Sequence, residues 1–207
     1  RRLAKYGTVD TLKDFVVKKP LPSADTSQKV VQYAEYFYRT AQVINNSVSA
    51  ANNYITINRG SDDGVTNGMA VISGAGAVGK VIHLSRHYAV VISILSVKQR
   101  VSGKLKDGTY GYIEWEGNSP DVLLMKDVSQ EIRVKPGDPI YTTSYSFFPA
   151  DIMIGTVFKI EPVKKNNLQI LYLHPSTNFR NLQYVYVVGN TMAAERKQLE
   201  DSVKGKP

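Results

Sequence analysis

From about Val30 to Val188 the chain alternates short apolar runs with clusters of turn-forming residues. Tyr54-Ile-Thr-Ile-Asn58 sets Ile55 and Ile57 against Thr56 and Asn58, the two-residue period of a half-buried strand. Comparable segments at Met69–Ile72, Val78–Leu84, Ala89–Leu95, Arg100–Lys106, Thr109–Trp115, Val122–Met125, Ile140–Thr143, Ile154–Ile160, Leu168–Leu173 and Tyr184–Val188 predict further strands. Gly60-Ser-Asp-Asp-Gly64, Asn67-Gly68, Asp107-Gly108, Glu116-Gly-Asn-Ser-Pro120, Pro136-Gly-Asp-Pro139 and Asn166-Asn167 separate them. Twelve of the 15 glycines fall between Gly60 and Gly155, so turns are concentrated in this body. Many short strands without amphipathic helices between them predict an all-β fold of barrels or sandwiches rather than a parallel α/β sheet.

The flanks read differently. Arg1–Val17 carries Leu3, Leu12 and Phe15 among charges and suits the last turns of a helix, which Pro20 and Pro22 stop. Ser23–Gln28 reads as linker. Met192–Leu199 consists of good helix formers and is mostly polar, the mark of a short terminal helix or tail.

Composition narrows the chemistry. The 207 residues include no cysteine, which excludes disulfides, a thiol nucleophile, zinc–thiolate sites and iron–sulfur clusters. No apolar run approaches the ~20 residues of a membrane helix. The chain starts with Arg1 rather than Met and is expected to be a piece of a longer protein whose anchor has been cut away. The net charge of +8 invites a nucleic-acid reading. Its distribution opposes that reading: residues 1–40 carry 8 Lys/Arg against 4 Asp/Glu, whereas residues 41–190 carry 14 against 11. A protein that tracks phosphates concentrates its surplus on one face. Lys164-Lys165 and Lys104/Lys106 are better read as solvated surface.

Candidate catalytic patterns are weak. His83, His87 and His174 lack a G-x-S-x-G partner, and Gly137-Asp138 is followed by Pro139 where a barrel protease needs its serine. His83 and His87 are spaced for a metal on a helix but lie in a β-rich stretch. Gly74-Ala-Gly-Ala-Val-Gly79 matches a dinucleotide motif, yet the strand-like Lys80–Leu84 follows it and a hairpin turn explains it better. Tyr110, Tyr112 and Trp115 share one predicted strand and could stack bases, but Glu114 and Glu116 stand where Lys or Arg would be needed. The apolar loop Tyr145-Ser-Phe-Phe-Pro149 has two readings: an exposed binding surface, or a loop folded back over a barrel mouth.

Several blocks together resemble the MreC family of rod shape-determining proteins. They are Ala41-Gln-Val-Ile-Asn-Asn46, Tyr54-Ile-Thr-Ile-Asn-Arg-Gly-Ser-Asp-Asp-Gly-Val65, Asn67-Gly-Met-Ala-Val71, Gly76-Ala-Val-Gly-Lys-Val81, Gly137-Asp-Pro-Ile-Tyr-Thr-Thr143, Phe148-Pro-Ala-Asp-Ile-Met-Ile-Gly-Thr-Val157 and Phe179-Arg-Asn-Leu182. They cover about Tyr38 to Val188. One departure falls where the family usually reads Thr-Ser-Gly: here Thr143-Ser144 is followed by Tyr145.

The resemblance implies an all-β body of two small β-barrels, the second inserted in the first, with short helical or coil termini. The expected division is 1–28 as the end of a coiled coil and linker, 29–68 with 135–190 as the first barrel, 69–134 as the inserted barrel, and 191–207 as a polar tail. It implies a non-catalytic scaffold of the cell-elongation machinery that maintains cell shape by organising peptidoglycan synthesis. A basic nucleic-acid-binding barrel and a barrel hydrolase are the alternatives from other classes. The implied partners are a second copy through the upstream coiled coil, with higher assembly open, a penicillin-binding transpeptidase, MreD, and MreB indirectly or through the cytoplasmic N-terminus. The implied location is the periplasmic side of a single-pass inner-membrane protein. No nucleic acid, cofactor or metal is expected. Tyr145, Phe147 and Phe148 are the candidate partner-binding residues. Gly60, Gly64, Gly68, Gly137 and Asp138 are expected to form structural turns, with Gly64 or Gly68 at positive φ where the two barrels cross.

Overall fold

The computed structural model describes residues 36–163 and 167–204. Among these, twelve strands close into two six-stranded barrels. The first contains, in spatial order, β1 (Tyr36–Asn46), β12 (Tyr184–Asn190), β3 (Ala70–Ile72), β4 (Ala77–Leu84), β5 (Ala89–Ser96) and β2 (Asn52–Ile57). The second contains β10 (Met153–Val163), β11 (Leu168–Pro175), β8 (Leu123–Ser129), β7 (Tyr110–Glu114), β6 (Arg100–Lys104) and β9 (Pro139–Thr142). The second barrel is thus inserted between β5 and β12 of the first. Closure leaves no unpaired sheet edge, which is how strands this short escape edge-to-edge association.

The expected boundaries need correction. The inserted barrel spans 100–175, not 69–134. Residues 70–96 complete the first barrel, where β5 pairs with β2 and β3 pairs with β12. Residues 139–175 close the second barrel, where β9 pairs with β6 and β11 pairs with β8. Turn signals mark where strands end, but pairing between distant strands is a tertiary choice that local periodicity does not encode.

The period-2 pattern fills both interiors. Ile55, Ile57, Val71, Val81, Val91, Leu95 and Val187 point into the first barrel; Val101, Ile113, Met125, Ile140, Ile154, Leu171 and Leu173 fill the second. β7 shows the alternation most plainly, with Gly111 and Ile113 buried and Tyr110 and Tyr112 outside. β5 is buried along nearly its whole length because its outer face approaches β7 of the second barrel.

By backbone compactness, residues 40–188 form one unit that holds the body of both barrels. The other unit, among described residues, comprises 36–39 and 189–204. It ends in helix α1 (Ala193–Lys204), which leaves Leu199 and Val203 exposed and pairs Arg196 with Glu200 at 3.7 Å. Residues 1–28, Lys164-Lys165 and Asn166 lie outside the described residues.

Inside the larger unit the barrels meet at a buried polar joint. The β3–β4 turn brings Ser73 to Thr177, in the segment between β11 and β12, with their hydroxyls 2.8 Å apart. Thr177 Oγ1 also lies 3.1 Å from the Ala77 carbonyl and Ser73 Oγ 3.3 Å from the Gly76 carbonyl, so each hydroxyl has a carbonyl acceptor and either can donate to the other. Ser176 Oγ lies 3.1 Å from the carbonyls of both Met153 and Ile154. Buried hydroxyls in such a chain are costly unless paired, so the joint favours one barrel orientation.

The turn glycines sit elsewhere. Gly64 adopts φ 71° and Gly68 φ 89°. Gly60 is extended and is held by Asp63 Oδ2, 3.0 Å from its amide. Their loop does not lie at the barrel crossing, contrary to expectation. Its backbone bonds run to Ser85, Arg86 and Val81, all in the first barrel. Gly64→Val is expected to cost more than ~1 kcal/mol, because a β-branched residue enters the left-handed region poorly, whereas Gly64→Asn is tolerated. Urea unfolding of the two variants checks this; equal midpoints would overturn it.

Candidate functional site

The aromatic loop follows β9. Thr142, fully buried, is its clip: Oγ1 donates to the Pro149 carbonyl at 2.6 Å and accepts from the Ile152 amide at 2.9 Å. Thr143 Oγ1 accepts from the Tyr145 amide at 3.2 Å, and Ser146 Oγ accepts from the Phe148 amide at 2.9 Å. Asp151 turns the chain back at φ 66°, a left-handed conformation that Asp tolerates better than most residues. This local bonding explains the hydroxyls of Thr142, Thr143 and Ser146: each short side chain holds a loop amide.

The clip divides the three aromatics. Phe148 turns inward and is 3% exposed, which corrects its expected role as a partner-binding residue. Phe147 is half-buried, its ring centroid 4.3 Å from that of Phe148. Lys80 Nζ, from β4 of the first barrel, stands 5.1 Å from the Phe147 centroid, so the loop touches both barrels. A cation over a ring face adds a modest attraction there. Tyr145 is 89% exposed. The loop therefore folds Phe148 back into the protein and leaves Tyr145 in solvent.

The outer face of β6, β7 and β8 is a charge lattice. Arg100 contacts Glu114 at 2.8 Å and Asp127 at 3.3 Å, and its guanidinium carbon lies 4.1 Å from the Tyr112 ring centroid. Lys126 contacts Glu114 at 3.2 Å and Glu116 at 3.0 Å. The Glu116 hydrogen bond holds the Lys126 ammonium above its ordinary pKa, against an opposing effect of burial. On β10 and β11, the Tyr172 hydroxyl donates to Glu161 at 2.7 Å, which lowers the Glu161 carboxyl pKa and raises that of the Tyr172 phenol. Sequence reasoning missed this lattice. Its signal was the outward period of Arg100 and Ser102 facing Tyr112 and Glu114, visible only once the β6–β7 register is fixed.

Other candidates are placed as follows. Trp115 is 2% exposed and donates through Nε1 to the Ser119 carbonyl at 2.8 Å, so no base-stacking platform forms with Tyr110 and Tyr112. His83 lies on β4 and His87 in the turn after it, not on one helix. His87 Nδ1 is 3.9 Å from Asp62, and His174 stacks on Phe158 with centroids 4.1 Å apart. Gly74–Gly79 is the β3–β4 hairpin, with Ala70 paired to Lys80. Gly137 has φ 98°, and Asp138 Oδ2 accepts from the Lys135 amide at 2.8 Å, closing the turn before β9. Among the described residues no group of His, Asp and Glu is arranged to hold a metal ion, and no helix is long and apolar enough to cross a membrane.

Comparison with known proteins matches this architecture. Residues 43–189 fit the family model described as rod shape-determining protein MreC, barrel core. The chain is 31% identical over 165 residues to the cell shape-determining protein MreC of Listeria monocytogenes, covering 77% of this chain and 56% of that protein. The solved Listeria MreC structure superposes with a TM-score of 0.69 at 31% identity over 75% of this chain and 77% of that one. In a solved complex between penicillin-binding protein PBP2 and MreC from Helicobacter pylori, the matching chain has the same fold, with a TM-score of 0.57 at 15% identity, covering 75% of this chain and 99% of that one. The chain spans about half the length of the curated relatives it matches. A match that runs from within β1 almost to the end of β12 takes in both barrels and the joint between them, and the chain belongs to the MreC family of rod shape-determining proteins.

Proposed function

We propose that this chain is a non-catalytic scaffold of the bacterial cell-elongation machinery, acting on the periplasmic side of the inner membrane. In this reading its two barrels present a fixed surface to a penicillin-binding transpeptidase. An upstream coiled coil makes it a dimer, and a membrane anchor connects it to MreD and to MreB. The observation that carries the reading is that the same two-barrel fold occurs in a family member solved with PBP2. The polar joint supports it, since a scaffold must hold its contacts in a set geometry. In this reading Tyr145 makes the contact, which its size, amphipathic ring and exposure on a loop fixed by Thr142 support.

Capture of the organism's own penicillin-binding transpeptidase by the purified chain tests the proposal. Tyr145→Ala is expected to weaken capture about tenfold, equivalent to ~1.4 kcal/mol, without moving the melting temperature. Undiminished capture by Tyr145→Ala would remove the loop from the interface, and no capture at all would sink the transpeptidase assignment.

A further inference from the structure

The second barrel carries a row of side chains that the scaffold reading leaves unused. Lys104 of β6 is paired with Tyr110 of β7 on one side and with Tyr141 of β9 on the other. Directly paired residues share a face, so Tyr141, Lys104 and Tyr110 form one outward row across three strands, about 10 Å long at ordinary strand spacing. Tyr110 is 66% exposed, and Tyr112 stands two residues along on the same face. Lys104 Nζ holds the Asp151 carboxylate at 2.8 Å. Beside the row, Lys104, Leu105, Lys106, Gly108, Tyr141 and Asp151 line a cavity of about 190 Å³.

The chemistry of this row selects among ligands. The cavity is smaller than the ~300 Å³ at which pockets for drug-sized molecules begin, and has room for one ring of a longer chain. Lys104 and Asp151 place a strong donor beside a strong acceptor, which suits hydroxyl and amide groups that both donate and accept. The same Asp151 opposes a phosphate or carboxylate. Tyr110, 66% exposed, offers a flat apolar face able to cover the C–H face of a sugar ring, while Tyr112 beside it is already stacked by Arg100.

We infer that the β9–β6–β7 face of the second barrel binds a neutral glycan strand, with one pyranose ring in the cavity beside Lys104 and Asp151 and its neighbours lying across Tyr110. The choice of an N-acetylated amino sugar as that ring rests on the scaffold reading, in which the protein works beside the growing wall.

Titration of the ¹⁵N-labelled full chain with the tetramer of N-acetylglucosamine tests the inference. Amide shifts are expected at Lys104–Tyr112 and Tyr141, saturating at about millimolar sugar. Tyr110→Ala is expected to weaken binding about fivefold with unchanged folding, because its side chain is mostly outside the packed barrel. Tyr54→Ala, on the first barrel, leaves binding unchanged. A rise of about tenfold in salt leaves the affinity within a factor of about two, unlike binding through phosphates. Absence of shifts at about ten times the expected dissociation constant would overturn the inference. So would shifts that Tyr110→Ala leaves untouched. Tetramer binding lost while transpeptidase capture persists rejects the glycan site alone. Tetramer binding intact while capture fails upholds the site and rejects the transpeptidase assignment. If Tyr110→Ala abolishes capture and the tetramer does not bind, the face docks a protein and the glycan assignment is wrong.

Discussion

Gly76→Val is expected to lower the unfolding free energy by about 3 kcal/mol and to loosen the orientation of one barrel against the other. The reason is contact, not backbone conformation. A Cβ on Gly76 would overlap the Met153 carbonyl oxygen and the Ser176 hydroxyl, both across the barrel joint. Met153 O belongs to the backbone of β10 and cannot swing aside as the end of a long side chain could. The overlap would also part Ser73 from Thr177, whose hydroxyls meet at 2.8 Å and are buried. Each barrel keeps its own closed strand ladder, so the expected product is two folded barrels at altered angles. Urea unfolding measures the stability loss. Residual dipolar couplings measure the reorientation. Unchanged stability together with unchanged couplings would show that the joint yields easily and does not set the geometry. In the scaffold reading, partner capture falls with the couplings.

The second large effect is expected at Thr142. Thr142→Val keeps the shape but removes the hydroxyl, leaving the Pro149 carbonyl and the Ile152 amide without that partner inside the protein. Buried groups orphaned in this way cost about 1–3 kcal/mol each, so a loss of about 2–4 kcal/mol is expected. Thr142→Ser retains the hydroxyl and should lose about half of that or less. The loop that Thr142 holds carries Phe148 inward, so release of the clip should expose Phe148 to chymotrypsin. The chain has a single tryptophan, Trp115, buried beside the second barrel's β7, which makes its fluorescence a selective probe of that barrel's unfolding. Equal midpoints for Thr142→Val and Thr142→Ser would show that the hydroxyl contributes little and that side-chain packing alone holds the loop.

A smaller pH effect follows from β10 and β11. Glu161 has a lowered pKa because it accepts from Tyr172 and pairs with Lys159 at 3.2 Å. A lowered folded-state pKa means that the stabilisation is present above the ordinary carboxylate range and is lost as pH falls through the folded value. The groups are exposed, so the effect is expected to be slight and to shrink with salt. Glu161→Gln should flatten that acid-side slope without changing stability at neutral pH by much.

The alternation Tyr110, Gly111, Tyr112, Ile113 fixes which side of β7 faces the barrel, because side chains of a strand alternate and only the apolar set can be buried. Asp63-Gly64 and Asn67-Gly68 announce positive backbone angles, because the steric bar to that region is local to the residue. All-β character and the turn positions follow from such local rules, and the family's blocks, recognised together, imply the nested barrels. Pairing does not follow. β3 to β5 and β9 to β11 are all short, apolar-rich strands, so either set could close either barrel by pattern alone. The choice is made by pairing between distant strands, as where Ala70, Val71 and Ile72 of β3 meet Val188, Val187 and Tyr186 of β12 and Ile55 of β2 meets Val91 of β5. The fate of Tyr145, Phe147 and Phe148 was undecidable for the same reason. Three neighbouring aromatics look alike in sequence; the Thr142 clip and Lys80 from the other barrel turn Phe148 in, cover Phe147 and leave Tyr145 in water. Local sterics and side-chain alternation were written in the chain, whereas burial against a distant strand exists only once the two barrels have closed and met.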